Sequence, residues 1–229
     1  MPKTDPEIAT ETDLGRETAT SHVDNARPSE LRSVAVFCGS SPGRDPRHLA
    51  LATRLGRTLA REGLRLVYGG GGLGLMGAVA RAAHQDGAPV LGVIPDVLRE
   101  AEALLPEIEH RIVPDMHARK IIMYGEADAF IILPGGIGTL EEAVEVLSWQ
   151  RLNLHEKPIL FLSDAGYWNG LLSEFDHLME EGFASPDMAA DILRSDTVDN
   201  ALAQIRDRIA HPIERKPLIL RDVSVETLA

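Results

Sequence analysis

Short apolar runs alternate along this chain with longer stretches whose apolar residues recur every three or four positions. "SVAVFCGS" (33–40) predicts a buried strand entering a turn, and "HLALATRLGRTLAREG" (48–63) predicts an amphipathic helix. The pattern repeats as strand "LRLVYGGGG" (64–72), helix "LMGAVARAAHQDG" (75–87) and strand "PVLGVIP" (89–95). A short strand at "HRIVP" (110–114), a helix through "MHARKIIMYGEA" (116–127) and a strand at "DAFIILPGG" (128–136) follow. "TLEEAVEVLSWQRL" (139–152) is the next helix and "KPILFLS" (157–163) the last strand, with peripheral helices expected after 168. Strands alternating with helices make a parallel, doubly wound α/β sheet, Rossmann-like and a single domain. In such sheets ligands sit outside the carboxyl ends of the strands.

The domain is expected over residues 32–211, between a disordered polar tail (1–31) and a C-terminal tail (212–229) without functional signal. The first segment is rich in Thr, Glu and Asp and has no apolar core of the signal-peptide kind. A formal charge of −12 argues against a nucleic-acid partner, which needs a basic face. No run reaches the ~20 apolar residues that span a bilayer. With one cysteine, Cys38, there is no intrachain disulfide; the expected compartment is reducing and cytoplasmic. Cys38 itself reads as a small buried hydrophobe and His117 as structural.

Three glycine-rich turns, at 39–43, 69–77 and 135–138, fall at strand ends and mark the site. Gly72-Leu73-Gly74-Leu75-Met76-Gly77 fits G-x-G-x-x-G, and Asp96 lies 19 residues beyond it; this is the dinucleotide fingerprint, here after the second strand instead of the first. Backbone geometry alone also accounts for it, as does contact with the phosphate or ribose of a nucleotide. Gly135, Gly136 and Gly138 would let backbone N–H groups approach a phosphate at a helix N-terminus, with Thr139 adding a hydroxyl. Thr139-Leu140-Glu141-Glu142 is equally a capping box, which would turn Glu142 back onto the Thr139 N–H. On a helical wheel Leu140, Ala143, Val144 and Leu147 form the core stripe, with Glu142 beside it between Val146 and Trp149. Arg119 and Lys120 supply the counter-charge for an anion.

"MHARK" (116–120) followed by "PGGIGTLEE" (134–142) resembles the LONELY GUY family of cytokinin-activating phosphoribohydrolases. Its P-G-G-x-G-T-x-x-E signature is met by Pro134, Gly135, Gly136, Gly138, Thr139 and Glu142. "VFCGSSPG", "VYGGGGLGLMG" and "GVIP" extend the resemblance over about residues 33–210. It implies hydrolysis of the N-glycosidic bond of an adenosine 5′-monophosphate, usually N6-prenylated, to free base and ribose 5-phosphate. Arg119 and Glu142 match the family's catalytic pair. Ser40, Gly72, Glu102, Lys120, Gly135, Gly136, Gly138, Thr139 and Ser148 are the candidate substrate contacts, Ser148 standing where plant members carry Thr. The resemblance also implies a homodimer, to which Trp149 is a candidate contributor, although the monomer core could hold it equally well. No metal or cofactor is expected: relatives are often labelled lysine decarboxylases, but no signature of a pyridoxal-phosphate lysine is present. A carrier of a phosphorylated cofactor, like the molybdenum-cofactor carriers, and an NAD-dependent oxidoreductase are the alternatives.

Overall fold

The computed structural model describes residues 27–214, so most of the two expected tails lies outside the described residues. In chain order the elements are β1 (Ser33–Phe37), α1 (Pro46–Arg61), β2 (Arg65–Tyr68), α2 (Gly74–Gln85) and β3 (Val90–Pro95). Then follow β4 (Glu109–Val113), α3 (Met116–Gly125), β5 (Ala129–Ile132), α4 (Ile137–Arg151) and β6 (Ile159–Leu162). The described residues finish with α5 (Asn169–Glu180), the short α6 (Met188–Asp191), β7 (Ile192–Ser195) and α7 (Val198–Ala210).

All pairings are parallel, in the order β4-β3-β2-β1-β5-β6-β7. The chain winds outward from β1 to β4, returns to pair β5 with β1, and winds outward the other way. The reversal between β1 and β5 is the topological switch point, where open α/β sheets bind ligands. Asp128 secures this junction: its Oδ2 accepts the Arg32 and Ser33 N–H groups, both at 2.9 Å, and the Ser33 hydroxyl at 3.1 Å.

Every residue of β1 and β5 is buried, because helices cover both faces of the sheet. On one face Val34, Val36, Leu66 and Tyr68 pack beneath α1, α2 and α7. On the other, Ala35, Phe37, Phe130 and Phe161 meet Met123, Val146 and Phe175 from α3, α4 and α5.

Two expectations need correction. "DILRSDT" contributes a seventh strand, β7, which the sequence reading assigned to peripheral helices; it is a four-residue, half-exposed edge strand, too short to show a period of two. On α4 the buried positions are Thr139, Glu142, Ala143, Val146, Leu147 and Gln150, while Val144 is 40% exposed. Ala143 and Leu147 belong to both stripes, so the wheel alone could not tell which flank turns inward.

Helices α1 and α2 cross at Gly56, where a Cβ would lie 2.3 Å from the Val79 carbonyl oxygen and 2.9 Å from Ala82 Cβ. A backbone carbonyl cannot move aside as a flexible side chain can. Gly56→Val should therefore cost about 1–3 kcal/mol by overpacking, read as a lower urea midpoint. An unchanged midpoint would mean that the two helices separate freely.

Candidate active site

The site is built by two helices entering from one face of the sheet. Asp115 caps α3 by accepting the Ala118 N–H at 2.8 Å, which fixes its first turn and with it Arg119. α4 begins at Ile137, two residues before the expected start, so Thr139 lies inside the helix. The capping-box reading is thereby overturned: Gly136 is the N-cap, and Glu142 is instead 3.2 Å from Arg119 Nη2. The side chains of this pair are only 10% and 9% exposed.

Glycines make the burial feasible. A Cβ on Gly69 would stand 2.1 Å from Arg119 Nη2, and one on Gly71 would stand 2.4 Å from Glu102 Oε2. The bare turn after β2 thus lets a guanidinium and a carboxylate press against backbone. Among the described residues, Arg119 Nε and Glu102 Oε2 are buried without hydrogen-bond partners. Such orphaned groups are costly and call for a polar ligand.

Burial pushes the Glu142 carboxyl up to about 7, and the Arg119 charge pulls against this without reversing it. Near neutral pH Glu142 therefore exchanges a proton readily, as a general base should. Burial likewise raises the pKa of the Cys38 thiol, which keeps it protonated and inert in the core, as expected.

The N-terminal end of α4 is open. Its first backbone bond is from the Leu140 N–H to the Gly136 carbonyl at 3.0 Å, leaving the N–H groups ahead of it directed out of the helix. Gly136, Ile137 and Gly138 are exposed there. Gly135 is bare for another reason: a Cβ would meet Thr139 Oγ1 at 2.1 Å. A cleft of about 300 Å³ runs between this turn and the loop after β1, lined by Ser40, Gly135, Gly136, His48, Leu75 and Tyr167 among others.

Other candidates sit differently. Lys120 is held by Glu141 Oε1 at 2.6 Å and Glu145 Oε2 at 2.9 Å, so a phosphate would have to compete with two carboxylates. Neighbouring acids thus have separate partners, Glu141 answering Lys120 and Glu142 answering Arg119. Gly72 has its polar groups occupied: its N–H goes to the Glu102 carbonyl at 2.8 Å, and its carbonyl accepts from Arg81 at 2.7 Å. Ser148 is exposed, about 120° around α4 from Glu142. His117 is exposed on the first turn of α3, so it supports no core. Trp149 packs edge-on against Tyr124 at 5.4 Å within the monomer.

The dinucleotide fingerprint has another task. The Leu75 and Met76 N–H groups at the start of α2 go to the Gly39 carbonyl, at 3.0 and 3.3 Å, so these donors are unavailable to a pyrophosphate. Asp96 is exposed beside Arg99.

Two cleft residues went unread in the sequence. Tyr167 donates its hydroxyl to the Gly135 carbonyl at 2.5 Å, and its ring meets His48 edge-on at 5.4 Å. Position just past the last predicted strand was the one signal for Tyr167; His48 looked like an ordinary helix residue. A larger cleft, about 630 Å³, opens beyond β6 and β7 around Ser163, Asp164, Arg194 and Asp196, without Arg119, Glu142 or Glu102. Those three side chains line neither cleft, and the smaller one is singled out by the open end of α4 and the glycine turn before it, which form its wall.

A family model described as "Possible lysine decarboxylase" matches residues 76–205. The chain is 45% identical over 194 residues to a cytokinin riboside 5′-monophosphate phosphoribohydrolase of Rhodococcoides fascians, covering 82% of this chain and 96% of that one. It is 42% identical over 185 residues to one from Arabidopsis thaliana, covering 80% and 86%. A molybdenum-cofactor carrier protein of Chlamydomonas reinhardtii superposes with a TM-score of 0.61 over 79% of this chain and 99% of its own, at 20% identity, which establishes a shared fold alone. A family match over more than half of the chain, joined to relatives this similar over most of its length, shows that the chain belongs to the family described as possible lysine decarboxylase, the family that the LONELY GUY signature marks.

Proposed function

We propose that the chain hydrolyses the N-glycosidic bond of an adenosine 5′-monophosphate, N6-prenylated or plain, releasing the base and ribose 5-phosphate. The observation that carries this reading is the dry Arg119–Glu142 pair beside the open end of α4, with Glu102 orphaned nearby. The names of the relatives at 45% and 42% identity point to the same reaction.

Cleaving this bond builds positive charge on the ribose in an oxocarbenium-like state. The Glu142 carboxylate stabilises that charge or takes a proton from the attacking water, whose oxygen joins C1′ as the base departs. Arg119 hydrogen-bonds the substrate and holds Glu142 in place. The open α4 end, with Gly135, Gly136, Gly138 and Thr139, receives the 5′-phosphate, and Ser40 closes the cleft from the β1 side. Glu102 accepts from the sugar or base, Lys120 leaves its carboxylates for the phosphate, and Gly72 shapes the loop that carries Glu102. Ser148 serves the site only as a peripheral contact. A cofactor carrier would need the phosphate seat but has no use for a desolvated Arg–Glu pair.

The protein is proposed to be cytoplasmic and a homodimer. Among the described residues no helix is long and apolar enough to cross a membrane. Ile137, 82% exposed, and Val144 lie seven residues apart on one face of α4, an apolar strip that a second copy would cover.

Adenosine should react far more slowly than AMP when free base is measured by chromatography, because the α4 end grips the phosphate. Equal rates would remove that role. Light scattering at micromolar concentration should give twice the chain mass of 24.9 kDa; the single mass would refute the dimer.

Glu142→Gln should lower kcat by about 10²–10⁴-fold. Wild-type kcat/KM should fall as pH drops below about 7, where Glu142 takes up its proton, and the residual rate of the variant should lack this limb. Stability carries the opposite sign. The folded pKa lies above the ordinary 4.5, so the fold favours the protonated form; wild-type stability should decline as pH rises from about 4.5 past 7. Denaturation of Glu142→Gln across that range should show no such decline, and parallel curves would place the perturbed group elsewhere.

A further inference from the structure

Three residues form one row across the sheet: Tyr68 of β2 pairs with Gly92 of β3, and Gly92 pairs with His110 of β4. The middle position is empty of side chain. A Cβ on Gly92 would come within 2.6 Å of His110 Cδ2 and 3.0 Å of its Nε2. Across that gap the two outer side chains reach the same atom, the carbonyl oxygen of Gly70. His110 Nε2 is 3.1 Å from it, and the Tyr68 hydroxyl donates to it at 3.3 Å. The other ring nitrogen of His110, Nδ1, lies 2.8 Å from the Ile108 carbonyl oxygen.

A carbonyl oxygen can only accept. Both contacts are hydrogen bonds at once only if both ring nitrogens carry protons, that is, in the imidazolium form. Gly70 is the middle residue of the turn that makes room for Arg119 at Gly69 and for Glu102 at Gly71, and its φ of +85° is one that other residues rarely adopt.

We propose that His110 is a positioning residue for the substrate site: its doubly protonated ring pins the Gly70 carbonyl and so sets how closely the Gly69–Gly71 turn holds Arg119 and Glu102. Its link to catalysis rests on the reading of Arg119 and Glu102 as substrate contacts. When the ring loses a proton, one nitrogen turns a lone pair toward a carbonyl oxygen and attraction becomes repulsion. The turn then relaxes and the two side chains lose their backing.

Several polar and charged groups lie around His110. Tyr68 stays a neutral donor, its pKa raised by burial. From α2, Arg81 is committed to the Gly72 carbonyl. Glu107, on the loop before β4, acts on Tyr68 together with Arg81. β3 offers only Gly92 at this place. On β4 itself the flanking residues are Glu109 and Arg111, the latter paired with Glu126 at 2.7 Å.

Two measurements on the full chain test the pin. In long-range ¹H–¹⁵N spectra, with the His110 ring assigned through its own backbone, both nitrogens should carry protons under the conditions of highest activity; a bare nitrogen there overturns the proposal. In kinetics with AMP, wild-type kcat/KM should fall about tenfold on the alkaline side. His110→Gln should sit near that lower level throughout, keep the acid limb of Glu142 and lose the alkaline limb. A variant that melts earlier but keeps both limbs assigns His110 to stability alone and also overturns the proposal. If wild-type protein releases no base, the proposed function fails, and the spectra still decide whether the ring is doubly protonated.

Discussion

The structure depends on keeping two opposite charges dry and in contact. Arg119 and Glu142 come from different helices, and each would be costly to bury alone. They tolerate burial because they meet each other and because glycine backbone, bulkless and polar, takes the place of side chains around them. Much of the glycine content around the sheet's carboxyl edge follows from this need for close approach. The same reasoning separates the turns: the one after β2 admits side chains, while the one before α4 admits the Thr139 hydroxyl and leaves a helix end uncovered.

Electrostatics then divides the acidic residues of α4 by depth. Glu141 is exposed and Glu145 half-buried, and together they neutralise Lys120 at the rim. Glu142, one position along, turns inward, and desolvation rather than its partner governs its affinity for a proton. A single helical turn thus carries a surface ion-pair cluster and a buried base, distinguished only by where the helix rotates them.

The fold was largely legible because apolar runs at two periods are what a doubly wound sheet must display, and the glycine turns fell at strand ends. β7 was not, since a four-residue edge strand carries too few residues to show a period. The pairing of Glu142 was ambiguous for a physical reason: Thr139-Leu140-Glu141-Glu142 satisfies the local rule for a cap, and only the start of α4 at Ile137 decides against it. Arg119 and Glu142 could be named from motif spacing, but not their contact, which is set by how α3 and α4 settle on the sheet. Tyr167 and His48 carry no local signature, because their importance is a matter of which loop faces which.

The join of β1 to β5 has a consequence for how the molecule comes to exist. Asp128 and Ser33, which close that join, are 95 residues apart along the chain. The part before β4 supplies the turns after β1 and β2, and the segment after β4 supplies the arginine, Glu142, the glycine turn before α4 and the open helix end. Neither stretch holds a rudimentary site that the other improves. During synthesis the first half of the sheet has an unfilled edge at β1 until β5 arrives, so competence for chemistry is acquired in one step, with closure of the longest connection between paired strands of the sheet. Any partner that occupied the β1 edge before β5 could do so would leave a chain with intact strands and no active site at all.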